Sequence, residues 1–156
     1  MGVSDSSIIE AWEIHNRIHL FLLEVIPDAA LDAVSASKGR TVAEQFAHVH
    51  NVRLMWLKAA APELLDGQTK IEKGSIDRAQ LARELALSAS AIAELLRRSF
   101  ADGGRVKSFK PHATAFFAYL VSHESHHRGQ IALTLKQSGN PLDKKTAFGL
   151  WEWGVR

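Results

Sequence analysis

The stretch YLVSHESHHRGQIA, residues 119–132, holds three histidines within five positions. His123 and His127 stand four residues apart, and on an α-helix that spacing turns ~400°, so both imidazoles leave one face. Phe116, Leu120, Ile131 and Thr134 fall on the same side. Two inward imidazoles need hydrogen-bond partners or a metal ion, and nitrogen donors of this kind suit zinc, nickel, iron or manganese. His126 lies on the flank of that stripe. A third donor is available upstream, because His48 shares a helical face with Val52, Met55, Trp56 and Ala59 that reads as core. His50, two residues on, is rotated by roughly 200° and points away. His48, His123 and His127 are therefore the expected metal ligands. His15 and His19 form a second pair at the same spacing, expected to line a cavity or lie at the surface; His112, after Pro111, is expected to be exposed.

Read literally, His123-Glu124-Ser125-His126-His127 also fits H-E-x-x-H, in which the glutamate activates a zinc-bound water. The extended form of that motif wants Gly and His where this chain has Gln130 and Leu133. The later acids Asp143 and Glu152 fall in a loop and in a tryptophan-rich tail. No period-two strand pattern is present to pair with a peptide backbone. The match is read as coincidental.

The elements that must position these residues are helices. Prolines occur only at 27, 62, 111 and 141, and four periodic segments lie between or beside them, at about 5–26, 41–61, 75–100 and 112–138. Thr41 and Glu44 form a capping box at the start of the second. Asp102-Gly103-Gly104 stops the third, and Gly139-Asn140-Pro141 stops the fourth. Four amphipathic helices without a sheet predict an all-α, four-helix bundle, as one domain over residues 1–156. The linkers at about 27–40, 62–74 and 101–110 exceed tight bundle turns, so at least one is expected to cross the bundle end. Phe148, Leu150, Trp151 and Trp153 are expected to pack back onto the body.

The composition is 46% apolar and 23% charged with a net charge of +2 and no cysteine. That excludes disulfides, thiolate ligands and cysteine nucleophiles. The basic residues are scattered, which argues against a nucleic-acid partner. No run approaches the ~20 apolar residues of a membrane span. The N-terminal residues lack the pattern of a secretory signal, so a cytoplasmic protein is expected.

The AHV around His48, followed by HESHHRGQI, resembles the DinB/YfiT-like superfamily of metalloenzymes, and the likeness in helix order and tail spans nearly the whole chain. The resemblance implies an up-down-down-up bundle with a long crossover between helices 2 and 3. It also implies a divalent metal held by three histidines, which map onto His48, His123 and His127, and a homodimer formed by helix packing. Characterised relatives include transferases and isomerases that use low-molecular-weight thiols such as bacillithiol or mycothiol. Three imidazoles leave coordination positions open, and a thiol bound there would ionise at neutral pH. The leading expectation is thus thiol transfer to a small electrophilic molecule. A metal-dependent hydrolase is the alternative, and a non-enzymatic metal-binding stress-response protein stays open. Glu124, His126 and Gln130 are the weaker candidates for catalytic or supporting roles, whereas Arg128 is expected to anchor neighbouring helices or the tail. Trp56, Phe116, Trp151 and Trp153 either wall an apolar pocket or serve as core.

Overall fold

A computed structural model describes residues 2–156, with side chains for all of these but residues 3 and 4. Four long helices carry the chain: α1 (Val3–Val25), α2 (Val42–Ala60), α3 (Arg78–Ala101) and α4 (Ala113–Gln137), followed by a short α5 (Lys144–Gly149). The helices α2, α3 and α4 each start on a residue whose side chain accepts from a free backbone amide. The Thr41 hydroxyl accepts from the Glu44 amide at 3.1 Å while the Glu44 carboxylate accepts from the Thr41 amide at 3.0 Å. Asp77 caps α3 through the Gln80 amide, and His112 caps α4 through the Ala115 amide. Caps of the Thr and Asp kind contribute ~1 kcal/mol each. At the far end of α4 the chain turns at Gly139, whose φ of +83° suits a residue without a β-carbon.

Contacts between the helices fix their directions. Arg78, opening α3, donates to the carbonyls of Leu23 and Ile26 at the end of α1, while Arg97, near the end of α3, pairs with Glu13 further back along α1, so α1 and α3 are antiparallel. Val42 and Phe46 share one core cluster with Leu81 and Leu85, and Leu57 shares the other with Ile92 and Leu96, so α2 and α3 run parallel. Antiparallel α4 brings Gln45 to His127 and Trp56 to Phe116. The order is up-down-down-up. α1 packs on α3 and α4, α2 packs on the same two, and α1 and α2 stand across the diagonal.

Parallel α2 and α3 require the connection at 61–77 to travel the length of the bundle, and two residues of α2 hold it down. The His50 Nε2–H donates to the Thr69 carbonyl at 2.8 Å. The Asn51 side chain donates to the Ile71 carbonyl at 2.8 Å and accepts from the Ile71 amide at 3.0 Å. The first linker is partly structured, by a 3-10 turn at Asp28–Asp32 and a single bridge between Val34 and Thr41.

The apolar interior is divided. One cluster holds Leu22, Ile26, Phe46, Leu85 and Ile131; the other holds Trp12, Leu57, Ile92, Phe116 and Leu120. Between them lies a belt of buried polar side chains from all four helices: His15, Asn16 and His19, then His50 and Arg53, then Ser88, then Glu124. The expected packing of the tail is corrected in part. Leu150 reaches the first cluster and the Trp153 ring comes within 6.4 Å of His15, but Phe148 and Trp151 remain 68% and 78% exposed. Gly149 fits against Phe21, where a β-carbon would approach to 2.8 Å, and the Arg156 guanidinium stacks 3.8 Å over the same ring. The tail is pinned at those points, and its two bulky neighbours project outwards.

Candidate metal centre

The three histidines singled out by their spacing do meet. The His48 ring lies 4.5 Å from His127 and 5.4 Å from His123, centroid to centroid, and their donor nitrogens all fall within 4.8 Å of one another. Helical spacing aligns His123 and His127 on α4, with their Nε2 atoms 3.1 Å apart. His48 arrives from antiparallel α2 and has no hydrogen-bond partner among the described residues. The His127 Nδ1–H donates to the Gln45 side-chain oxygen Oε1 at 2.7 Å, which leaves the Nε2 lone pair directed at the other two rings. That is the arrangement by which a neighbouring acceptor fixes a ligating imidazole.

All three rings are held neutral. Burial pushes His127 down to about 4, helped by His123 and His48 beside it. Burial also lowers His48 and His123, with the Arg40 charge contributing to both. Neutral imidazoles are the form that binds a metal, so the donor set fits a divalent ion.

The site lies at the edge of the bundle. The face of α2 bearing His48 also carries Met55, which is 53% exposed, and the buried face is instead that of Phe46, Val49, Arg53 and Leu57. His48 and His123 are half-buried and His127 is buried. The inference that these rings point into the core holds for buried His127 and is corrected for His48 and His123, which stand half-exposed where α2 meets α4. An aromatic cluster of Trp56, Phe109, Phe116 and Tyr119 borders the site, with Tyr119 stacked on His123 at an interplanar angle of 13°.

One step round α4, Glu124 belongs to a different group. Its carboxylate accepts from Arg53 Nε and Nη2 at 2.7 Å each and from His15 and His19 at 2.9 and 3.0 Å. Arg53 also donates to Asn16, the Leu85 carbonyl and Ser88. His19 is lowered to about 3 by burial and His15 is lowered by the same cause, so each is a neutral ring donating from Nε2. The Glu124 carboxyl lies well below the usual carboxylate range: burial opposes this, but Arg53 and the two histidines outweigh it. His15 and His19, expected in a cavity or at the surface, are fully buried. His15, His19 and Glu124 also bring their donors within 4.8 Å of one another, a group that can hold a metal ion. Of the two groups it is the poorer fit, because the Arg53 guanidinium occupies both carboxylate oxygens and no solvent reaches it.

A model of the DinB family matches residues 1–147. The chain belongs to the DinB family. No curated protein matches it significantly. Among the weaker candidates in this DinB-family protein, His126 is exposed, with its ring 5.1 Å from that of His127, and Gln130 is close enough to His127 to favour its charged form slightly. Arg128 donates to Ser125 and lies near Glu124 rather than on the tail. His112 is exposed, as expected. Sequence reasoning missed Gln45 and Arg53. Gln45 stands three residues before His48, one turn away. Arg53 interrupts the four-residue spacing of Val49 and Leu57, a position where an arginine needs a buried acid.

Proposed function

We propose that His48, His123 and His127 hold one divalent ion, zinc, nickel, iron or manganese, and that the protein transfers a low-molecular-weight thiol to a small electrophile. The observation that carries this reading is a neutral three-imidazole set, with His127 oriented by Gln45, exposed to solvent on the His48 and His123 side. A site kept open is the mark of a catalytic rather than a structural centre. When bound, the ion supplies Lewis acidity that favours ionisation of a thiol at neutral pH. Gln45 orients His127, and the half-exposed Trp56 and Tyr119 offer apolar surface to an electrophile. In the transfer a sulfur–carbon bond forms, the leaving group departs with its bonding pair, and the thiol proton passes to solvent.

Hydrolysis is the weaker reading. Glu124, the residue that would activate water in the H-E-x-x-H sense, already accepts four N–H donors and is sealed from solvent. The substrate is a small molecule in either case. A homodimer belongs to the same proposal, supported by the uncovered Phe148, Trp151 and Val155, and sedimentation equilibrium tests it.

The activity is tested with 1-chloro-2,4-dinitrobenzene and a panel of small thiols, on metal-loaded wild type and His48→Ala. The proposal expects thioether formation that needs the metal and is lost in the variant. Loaded protein with no rate above the metal-free protein for any thiol would refute transfer and leave hydrolysis or a non-enzymatic metal-binding role.

A further inference from the structure

Beside the triad, on the α2 side, lies a cleft whose lining includes His48 itself. Its floor is one stripe of α2 and its cap, Arg40, Glu44, His48 and Asn51, recurring at close to helical spacing. Its opposite wall is the crossover from Lys70 to Lys73. That wall is fixed in place, because Thr69 is tied to His50 and Ile71 is tied twice to Asn51. The cavity measures about 280 Å³, at the small end of ligand pockets.

The charges in the cleft are unequal. Arg40, Lys70 and Lys73 face Glu44 and Glu72, which leaves one positive charge in excess. Lys70 is engaged with Glu72 at 3.1 Å, and the Glu44 carboxylate is used in capping Thr41. Arg40 and Lys73 have no ion-pair partner among the described residues. Arg40 and His48 line the same cleft, and His48 also belongs to the triad, so cleft and triad adjoin.

We propose that this cleft is a subsite for a single negative charge, and that it takes the carboxylate of a small molecule whose other end reaches the three histidines. Arg40 and Lys73 receive the carboxylate, with Lys70 held back by Glu72. In the metal-free protein, one excess positive charge matches a monoanion and leaves a dianionic phosphate uncompensated. The subsite gives the thiol or its acceptor a fixed orientation relative to His48, and only this last assignment rests on the proposed transfer.

Two titrations separate the subsite from the function. In the first, sodium propionate is added to metal-free, 15N-labelled protein at constant ionic strength. Saturable amide shifts are expected at Arg40, Glu44, His48 and Lys70–Lys73, and they should vanish in Arg40→Gln/Lys73→Gln while the rest of the spectrum stays unchanged. Absent shifts, or shifts that persist in the double variant, would overturn the subsite. Methyl phosphate binding tenfold more tightly than propionate would overturn the monoanion assignment. In the second, metal-loaded protein is titrated with 3-mercaptopropionate and with neutral 3-mercapto-1-propanol. The acid should bind about tenfold more tightly in wild type and within about twofold in the double variant, as expected for loss of charge-assisted hydrogen bonds. Equal affinities in wild type would overturn the orienting role. If neither thiol binds while propionate still shifts the cleft, the thiol reading fails and the subsite stands.

Discussion

Replacing Glu124 by glutamine removes one charge from the middle of the bundle and almost no volume. In the native protein the fully buried Arg53 guanidinium has both carboxylate oxygens at 2.7 Å. Its other contacts, to Asn16, the Leu85 carbonyl and Ser88, are neutral acceptors that cannot balance its charge. His15 and His19 lose the anion to which both donate. Breaking a buried ion pair by removing one partner costs about 3–5 kcal/mol. For a chain of this length each kcal/mol lowers the melting temperature by about 2–4 °C, so a fall of about 6–20 °C is expected. Thermal unfolding followed by circular dichroism at pH 7.5 measures it. The double variant Arg53→Met/Glu124→Leu should recover most of the loss, since it buries no uncompensated charge. Below its melting temperature Glu124→Gln should still bind metal, because its carboxylate lies in the belt and not in the triad. A melting temperature within 2 °C of wild type, or a folded variant unable to bind metal, would refute this assignment of Glu124.

The same belt contributes to the acid limb of stability. His19 is held near 3 in the folded protein against an ordinary 6.5, so the unfolded chain binds the proton first. Its contribution is complete above about pH 6.5 and falls by about 1.4 kcal/mol per pH unit below it. Urea unfolding at pH 7.5 and pH 5 should therefore differ by about 2 kcal/mol from this residue alone, and His19→Asn should shrink the difference. Gln45→Ala removes the acceptor that orients His127 and should weaken metal affinity about 10- to 100-fold with little change in helix content; competition with a chromogenic chelator measures it.

Much of the architecture was legible because punctuation and caps are local. Thr41-Val42-Ala43-Glu44 states its capping box in four letters, and Gly139-Asn140-Pro141 states the stop of α4. The pair His123 and His127 was equally readable, since both lie on one helix. The reading of His48 as a ligand rests on its face being core, and in the structure that face is the bundle edge. The triad survived because antiparallel α2 and α4 approach there regardless of which side is wet. The His15–His19–Glu124–Arg53 belt was not legible. Its members come from three helices separated by up to 109 positions, and no local signal says that an acid on α4 meets an arginine on α2. The outward turn of Phe148 and Trp151 was equally hidden, because it depends on Gly149 fitting against Phe21.

The most direct test of the central claim is metal content by mass spectrometry, after reconstitution and desalting, on wild type, His48→Ala and His19→Asn, with folding checked by circular dichroism. One divalent ion per chain is expected in wild type and in His19→Asn, and none in His48→Ala. Metal kept by folded His48→Ala and lost from folded His19→Asn would contradict it and move the centre to the buried His15–His19–Glu124 group.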